Sequence, residues 1–304
     1  MSFTSFCFCK MCEKSDKKRD EGLTIPDSVE YIRNISYDEK NKYRLLDICW
    51  PRTTKGRATD SGKDKLPVIV SVHGGGYVYG NKEVYQFYAA SLAEMGFTVI
   101  NFNYRLAPKF KYPAPIEDLI AILEWMLKNS GKYPVDTDKV FLVGDSAGAQ
   151  IASQYGVICS NKEYAAYMEM SHPAGVRIRG LGLCCGTYNL KNRIENEGIK
   201  GVIKDYLTSN PYQFGKQLDI LEAINKDYPP THLFTSNGDF LKEECKPMAD
   251  LLLAQGVLCE YQIYGTEQTG HVFHVDMRNE YAKEANQKQA DFFYRVLAGN
   301  EAEA

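Results

Sequence analysis

The stretch Val140-Phe141-Leu142-Val143-Gly144-Asp145-Ser146-Ala147-Gly148 decides the fold. Four apolar residues make a short strand, a G-x-S-x-G pattern follows, and helix-forming sequence starts at Ala147. Glycines on both sides of the serine let the backbone turn sharply from strand to helix and lift Ser146 Oγ above the sheet edge. The helix then directs its free N–H groups, and the positive end of its dipole, at charge developing beside that oxygen. Small residues cluster in many turns, so the pattern carries weight only because the strand and the helix flank it.

Outward from this point the chain alternates short apolar strands with helices. Strands are expected at Val29 to Tyr37, Tyr43 to Trp50, Val68 to Val72, Phe97 to Phe102, Ile178 to Cys184, His232 to Thr235 and Glu260 to Tyr264. Helices are expected at Val84 to Met95, from Pro115, from Ala147, at Pro247 to Gln255 and at Glu284 to Leu297. In the helix from Pro115, residues Ile116, Leu119, Ile120, Leu123 and Leu127 share one face. Strands that read as continuous apolar runs are buried on both faces, so the fold class is α/β: a mostly parallel sheet flanked by helices. Residues 53–65 read as a solvated loop, and residues 1–27 as a polar, poorly helical tail or partial cap. Residues 28–304 then form the main domain. Asn189 to Pro230 inserts roughly forty helix-compatible residues between two strands, longer than ordinary connections, and is expected to supply a small helical cap.

Composition narrows the function. A net charge of -3 offers no basic field for nucleic acid, and no apolar run is long enough to cross a bilayer. Met1 to Phe8 has neither a basic lead-in nor a small-residue cleavage site, so no signal peptide is expected. Nine cysteines is an odd number for a secreted disulfide framework, and several lie in strand-like segments where thiols pack as small hydrophobes. Cys7, Cys9 and Cys12 form C-x-C-x-x-C without a second pair at ligand spacing, so no metal is assigned. A cytoplasmic, reduced protein is the expectation, and its oligomeric state is left open between monomer and homodimer.

An acyl-transfer serine needs a base, a group to orient that base and donors for the oxyanion. Of five histidines, His271 and His274 follow the last strand; His271 is preferred because it leaves a glycine-containing loop, and His274 reads as a packed or surface residue. Among the carboxylates between Ser146 and this segment, only Asp239 stands immediately beyond a strand, at the edge where open α/β sheets hold ligands. Asp250 reads as a solvated helix residue, and Glu267 is held in reserve. His73-Gly74-Gly75-Gly76 follows a buried strand, where bare glycine amides face a substrate. Gly75 and Gly76 N–H, with Ala147 N–H, are the expected oxyanion hole. His73 is read as bracing this loop.

Together these residues resemble the hormone-sensitive-lipase-like branch of the α/β-hydrolase esterases, over nearly all of residues 66–297. That branch carries H-G-G-G (73–76), Y-R-L-A-P (104–108) followed by Pro113-Ala114 and Asp118, and G-D-S-A-G (144–148). It also carries an acid motif matched by Asp239-Phe240-Leu241-Lys242-Glu243-Glu244, and H-G-F, matched by His271-Val272-Phe273 with valine replacing glycine. The resemblance implies a catalytic triad of Ser146, Asp239 and His271, with Gly75, Gly76 and Ala147 as the oxyanion hole. His73, Gly74, Asp145 and Glu243 would support it, and no cofactor is implied. The expected partner is a small-molecule ester, with neither nucleic acid nor membrane involved. The expected reaction is hydrolysis of short-chain, acetyl-like esters through an acyl-enzyme, on acylated carbohydrates or small aromatic esters. A non-catalytic binding protein with the same fold, and a peptidase or acyltransferase with the same triad, are the competing readings. Tyr77, Tyr79, Tyr206 and Tyr212 are candidates for the mouth of the site, although in a chain containing 21 tyrosines ordinary packing is the stronger reading.

Overall fold

Eight strands build one sheet: β1 (Val29–Ser36), β2 (Leu45–Pro51), β3 (Leu66–Val72), β4 (Thr98–Phe102), β5 (Val135–Asp145), β6 (Ile178–Cys184), β7 (Thr231–Ser236) and β8 (Cys259–Tyr264). The computed structural model describes residues 1–52, 65–194, 200–208 and 210–301. Residues 53–64 of the expected solvated loop, and residues 195–199 and 209 of the expected cap insertion, lie outside the described residues. The strand order is β1-β2-β4-β3-β5-β6-β7-β8. β2 runs antiparallel to both of its neighbours, while every pairing from β4 to β8 is parallel.

The helices are α1 (Phe3–Asp20), α2 (Gln86–Glu94), α3 (Ala114–Asn129), α4 (Ala147–Ser160), α5 (Lys162–Tyr167), α6 (Lys200–Tyr206), α7 (Lys242–Ala254) and α8 (Glu280–Glu301). The pleat divides each central strand between two layers. Val68, Val70, Val140 and Leu142 pack with apolar residues of α3, α4 and α7, while Ile69, Phe141 and Val143 pack with residues of α2 and α8. Burial on both faces is why these strands read as unbroken apolar runs. The chain leaves β3 for β4 on one side and returns to β5 on the other. The loops after β3 and β5 therefore diverge and open a crevice at the carboxyl ends of the strands.

Two expectations need correction. Residues 3–20, read as a poorly helical tail, form an 18-residue helix, opened by Ser2, whose side chain accepts from Ser5 N–H. Tertiary contacts hold it: Ser2 N–H donates to Asp205 at 2.6 Å, Tyr79 O–H donates to Asp16 at 2.8 Å, and Arg19 donates to the Val84 carbonyl at 2.7 Å. Arg278 closes the far end by donating to the carbonyls of Arg19 and Glu21. The helix expected from Pro247 starts earlier, at Lys242; Glu243 and Glu244 occupy its first turn, and Pro247 lies inside it. In the long insertion, α6 is accompanied by 3₁₀ turns at Lys191–Arg193, Pro211–Leu218 and Ile220–Ala223.

A buried charge cluster ties the antiparallel edge to α3. Asp118, fully buried, accepts from Arg105 N–H at 2.7 Å, from Arg105 Nε at 2.8 Å and from Arg44 Nε at 2.7 Å. Removing the carboxylate leaves two guanidinium groups short of their shared partner. Asp118→Ala is expected to lower stability by about 3 kcal/mol, measured as a fall in urea midpoint at unchanged m-value.

Candidate active site

The crevice receives one side chain or loop from each of four strand ends. β5 delivers Ser146, whose backbone sits at φ 51 and ψ -116, a conformation few non-glycine residues adopt. What enforces it is close approach: a Cβ on Gly148 would strike the Val72 carbonyl, so α4 starts hard against the end of β3. Ser146 N–H donates to the Cys184 carbonyl at 3.0 Å, fixing the turn to β6 as well.

β3 delivers the glycine loop. Gly75 has φ 111, and a Cβ there would strike the Tyr79 carbonyl. Its own carbonyl accepts from Val78 N–H and Tyr79 N–H at 3.2 and 3.0 Å, so the loop folds as a tight turn. Among the described residues, the amides of Gly75 and Gly76 make no backbone hydrogen bond, and both glycines line the cavity. His73 is fully buried beneath them, stacked on Tyr104 at 4.0 Å with Nδ1 2.8 Å from the Gly74 carbonyl. Burial lowers its pKa to about 4, which keeps the imidazole neutral.

β7 and β8 deliver Asp239 and His271. His271 Nδ1 lies 2.7 Å from Asp239 Oδ1. The carboxylate also accepts from Leu241 N–H at 2.9 Å and from Thr235 O–H at 2.6 Å. Burial works against its charge, but these bonds and His271 outweigh it and lower its pKa below the ordinary value. Burial likewise opposes charging His271, yet its bonds to Asp239 and Cys185 hold its pKa above the usual imidazole range. The candidate elements thus converge: Ser146, Ala147, Gly74, Gly75, Gly76, Asp145 and His271 all line one cavity of about 610 Å³.

Helix α1 roofs this cavity with Phe8, Met11, Cys12, Asp16 and Arg19. Phe8 and Val202 both approach Gly76, giving the cavity an apolar wall beside α6. Asp16, Arg19, Tyr79, Asp276 and Asn279 line the other half, where α1 ends. Sequence reading missed this roof, and it also missed Cys185. That residue follows β6 with φ 50 and is buried against the acid–base pair. The one available signal was a pair of adjacent cysteines at a strand end.

Other named residues fall elsewhere. Glu243 is exposed; it is Glu244 that reaches the site's wall, pairing with Arg193 at 2.6 Å. Asp250 is exposed and pairs with Lys246, and Glu267 is exposed. His274 is buried, edge-on to Tyr88 and 4.0 Å from Asp145, and burial lowers its pKa to about 3. Of the tyrosines, Tyr77 and Tyr79 line the cavity. Tyr206 stacks behind Tyr77 at 3.8 Å, and Tyr212 is exposed. All nine cysteines are free, and no helix among the described residues is long and apolar enough to cross a membrane.

Residues 69–275 match the alpha/beta hydrolase fold family. The chain belongs to that family, in its hormone-sensitive-lipase-like branch of carboxylic ester hydrolases. An acetyl esterase of Salmonella schwarzengrund is 25% identical over 241 residues, covering 74% of this chain and 71% of the relative. Esterase B from Lactobacillus rhamnosis has the same fold, with a TM-score of 0.87 at 21% identity over 98% of this chain and 96% of that one. An esterase of Pyrobaculum calidifontis superposes with a TM-score of 0.74 at 24% identity, covering 98% and 94% of the two chains.

Asp145, beside Ser146, is buried; Tyr85 O–H donates to it at 2.8 Å. Burial pushes its pKa up to about 7, more than the Tyr85 bond can offset. The folded state therefore binds this proton more tightly than the unfolded chain, whose aspartates titrate near 4. Stability from this group is full below about pH 4 and is lost as pH rises to about 7. Asp145→Asn removes the dependence. Its melting temperature relative to the parent is expected to climb between pH 4 and 7, and a flat difference would refute the buried, proton-binding carboxyl.

Proposed function

We propose that the protein is a serine carboxylesterase that hydrolyses short-chain, acetyl-like esters through an acyl-enzyme. Ser146 Oγ attacks the ester carbonyl while His271 Nε2 takes its proton; Asp239 holds Nδ1–H and stabilises the imidazolium. The tetrahedral oxyanion accepts from the N–H groups of Gly75, Gly76 and Ala147, and each such donor contributes on the order of 3 kcal/mol in the transition state. His271 then passes its proton to the departing alkoxide. Water, deprotonated by the same imidazole, releases the acid and frees Ser146.

The observation that carries this reading is the 2.7 Å contact between His271 Nδ1 and Asp239, on the wall of the cavity that holds the strained Ser146. Short acyl chains are supported by the acetyl esterase relatives and by the solved complex of esterase B with a C4 tributyrin phosphonate. A roofed cavity of about 610 Å³ gives a long chain little room. Acylated carbohydrates or small aromatic esters suit its second half, where Asp16, Arg19 and Asn279 offer hydrogen bonds to a polar alcohol. In this reading α1 and residues 189–230 together form the cap over the main domain, and the site functions in a cytoplasmic, reduced setting.

A p-nitrophenyl ester series from acetate to decanoate tests this directly. Turnover is expected to peak at two to four carbons, and a maximum at eight or more refutes the short-chain assignment. Ser146→Ala and His271→Ala are each expected to lower kcat by at least ~10⁴-fold. Equal turnover in all three proteins refutes the mechanism.

A further inference from the structure

Cys185 has no role in the hydrolysis just described, yet it touches the acid–base pair. Its Sγ, an oxygen of Asp239 and a ring nitrogen of His271 all lie within 4.8 Å of one another. Cys184 S–H donates to Cys185 Sγ at 3.5 Å, and Thr235 O–H approaches the same sulfur at 3.8 Å. We propose that Cys185, His271 Nδ1 and Asp239 form a three-donor site for a thiophilic divalent cation of the Zn²⁺ kind, and that its occupation switches hydrolysis off.

Donor chemistry and spacing both favour this. Thiolate, imidazole and carboxylate are the ligand types Zn²⁺ takes in tetrahedral sites, with metal–ligand distances of about 2.0–2.3 Å. Donors around such an ion stand roughly 3.3–3.8 Å apart. The Asp239–His271 contact of 2.7 Å therefore has to open by roughly 0.6–1.1 Å to admit the ion. An outer shell already orients the ligands: Thr235 O–H donates to Asp239 Oδ2 at 2.6 Å, and Leu241 N–H donates to Oδ1 at 2.9 Å. The His271 side chain is 22% exposed and lines the cavity, with Cys185 and Asp239 buried behind it, so an ion reaches the site past the imidazole. The fourth position is left to water.

Coordination disables the base by a tautomer shift. A metal on Nδ1 takes the lone pair there, so the neutral ring carries its hydrogen on Nε2. That nitrogen must be bare to accept the Ser146 proton. Cys185 releases its thiol proton to solvent as the Sγ–metal bond forms, and nothing is oxidised or reduced. The inhibitory half of the proposal rests on His271 being the base, whereas the binding half does not.

Two readouts separate these halves. Zn²⁺ titrated into the wild-type protein is expected to abolish ester hydrolysis, with recovery on adding a chelator and no effect from Mg²⁺. In Cys185→Ser the half-inhibiting Zn²⁺ concentration is expected to rise at least tenfold. Cd²⁺ added to Ser146→Ala, which lacks the nucleophile but keeps all three donors, is expected to give the ultraviolet thiolate-to-metal absorption band. That band is expected to shrink when Cys185→Ser is added to the same background, the other eight cysteines being common to both proteins. Equal Zn²⁺ sensitivity in the parent and in Cys185→Ser overturns the proposal, as does an unchanged Cd²⁺ band. A protein with no esterase activity that still loses the band with Cys185 refutes the hydrolase reading and leaves the metal site standing.

Discussion

The backbone at Ser146 is the constraint on which the rest of the site depends. A left-handed serine between a strand and a helix is unfavourable by itself, so neighbouring structure has to over-determine it. Here Gly148 lets α4 press against the end of β3, while Ser146 N–H is held by the Cys184 carbonyl at the end of β6. The turn is thus clamped by both strands that flank β5. The same close approach seats the first amides of α4 opposite the glycine loop after β3. One steric fact fixes where Ser146 stands and brings the start of α4 to the loop after β3.

The roof is built by a different logic. Helix α1 has no apolar stripe: of its residues only Ser5 is fully buried, and Phe3, Phe6 and Met11 are largely exposed. Besides Phe8 and Cys9, which pack against the core, it is held at discrete points: by Asp205 at its start, by Tyr79 and Val84 in its last turns and by Arg278 at its end. The floor of the cavity is held by packing, and much of the roof by hydrogen bonds.

This contrast explains what could be read from the chain. Strand positions were legible to within a few residues, because burial on both faces writes an unbroken apolar run, as in Val68–Val72 and residues 140–143. The elbow, the glycine loop and the residues after β7 and β8 were legible because turn chemistry demands particular residue types at particular strand ends. Helix α1 was not, since its partners lie up to 259 residues away and leave no periodic trace. Cys185 was missed for a similar reason. Beside Cys184 it reads as one of two small apolar side chains, and only the pairing of β6 with β7 brings it to the acid. Glu243 was taken from a motif in which the neighbouring glutamate faces the wall.

The choice between His271 and His274 turns on environment rather than position. The site holds two histidine–carboxylate pairs, and the protein treats them oppositely. Asp239 keeps its charge because Leu241 N–H, Thr235 O–H and His271 all donate to it, and the charge in turn favours an imidazolium at His271. Asp145 receives Tyr85 O–H but stands 4.0 Å from His274 in a fully buried setting. Desolvation dominates there, pushing the acid up to about 7 and the histidine down to about 3. In the proposed mechanism the base gains and loses a proton, which suits the pair with enough donors to hold its charge. The other pair carries no charge below about pH 7 and lies buried beside Ser146. Counting hydrogen bonds to each carboxylate therefore separates the two histidines where chain order alone does not.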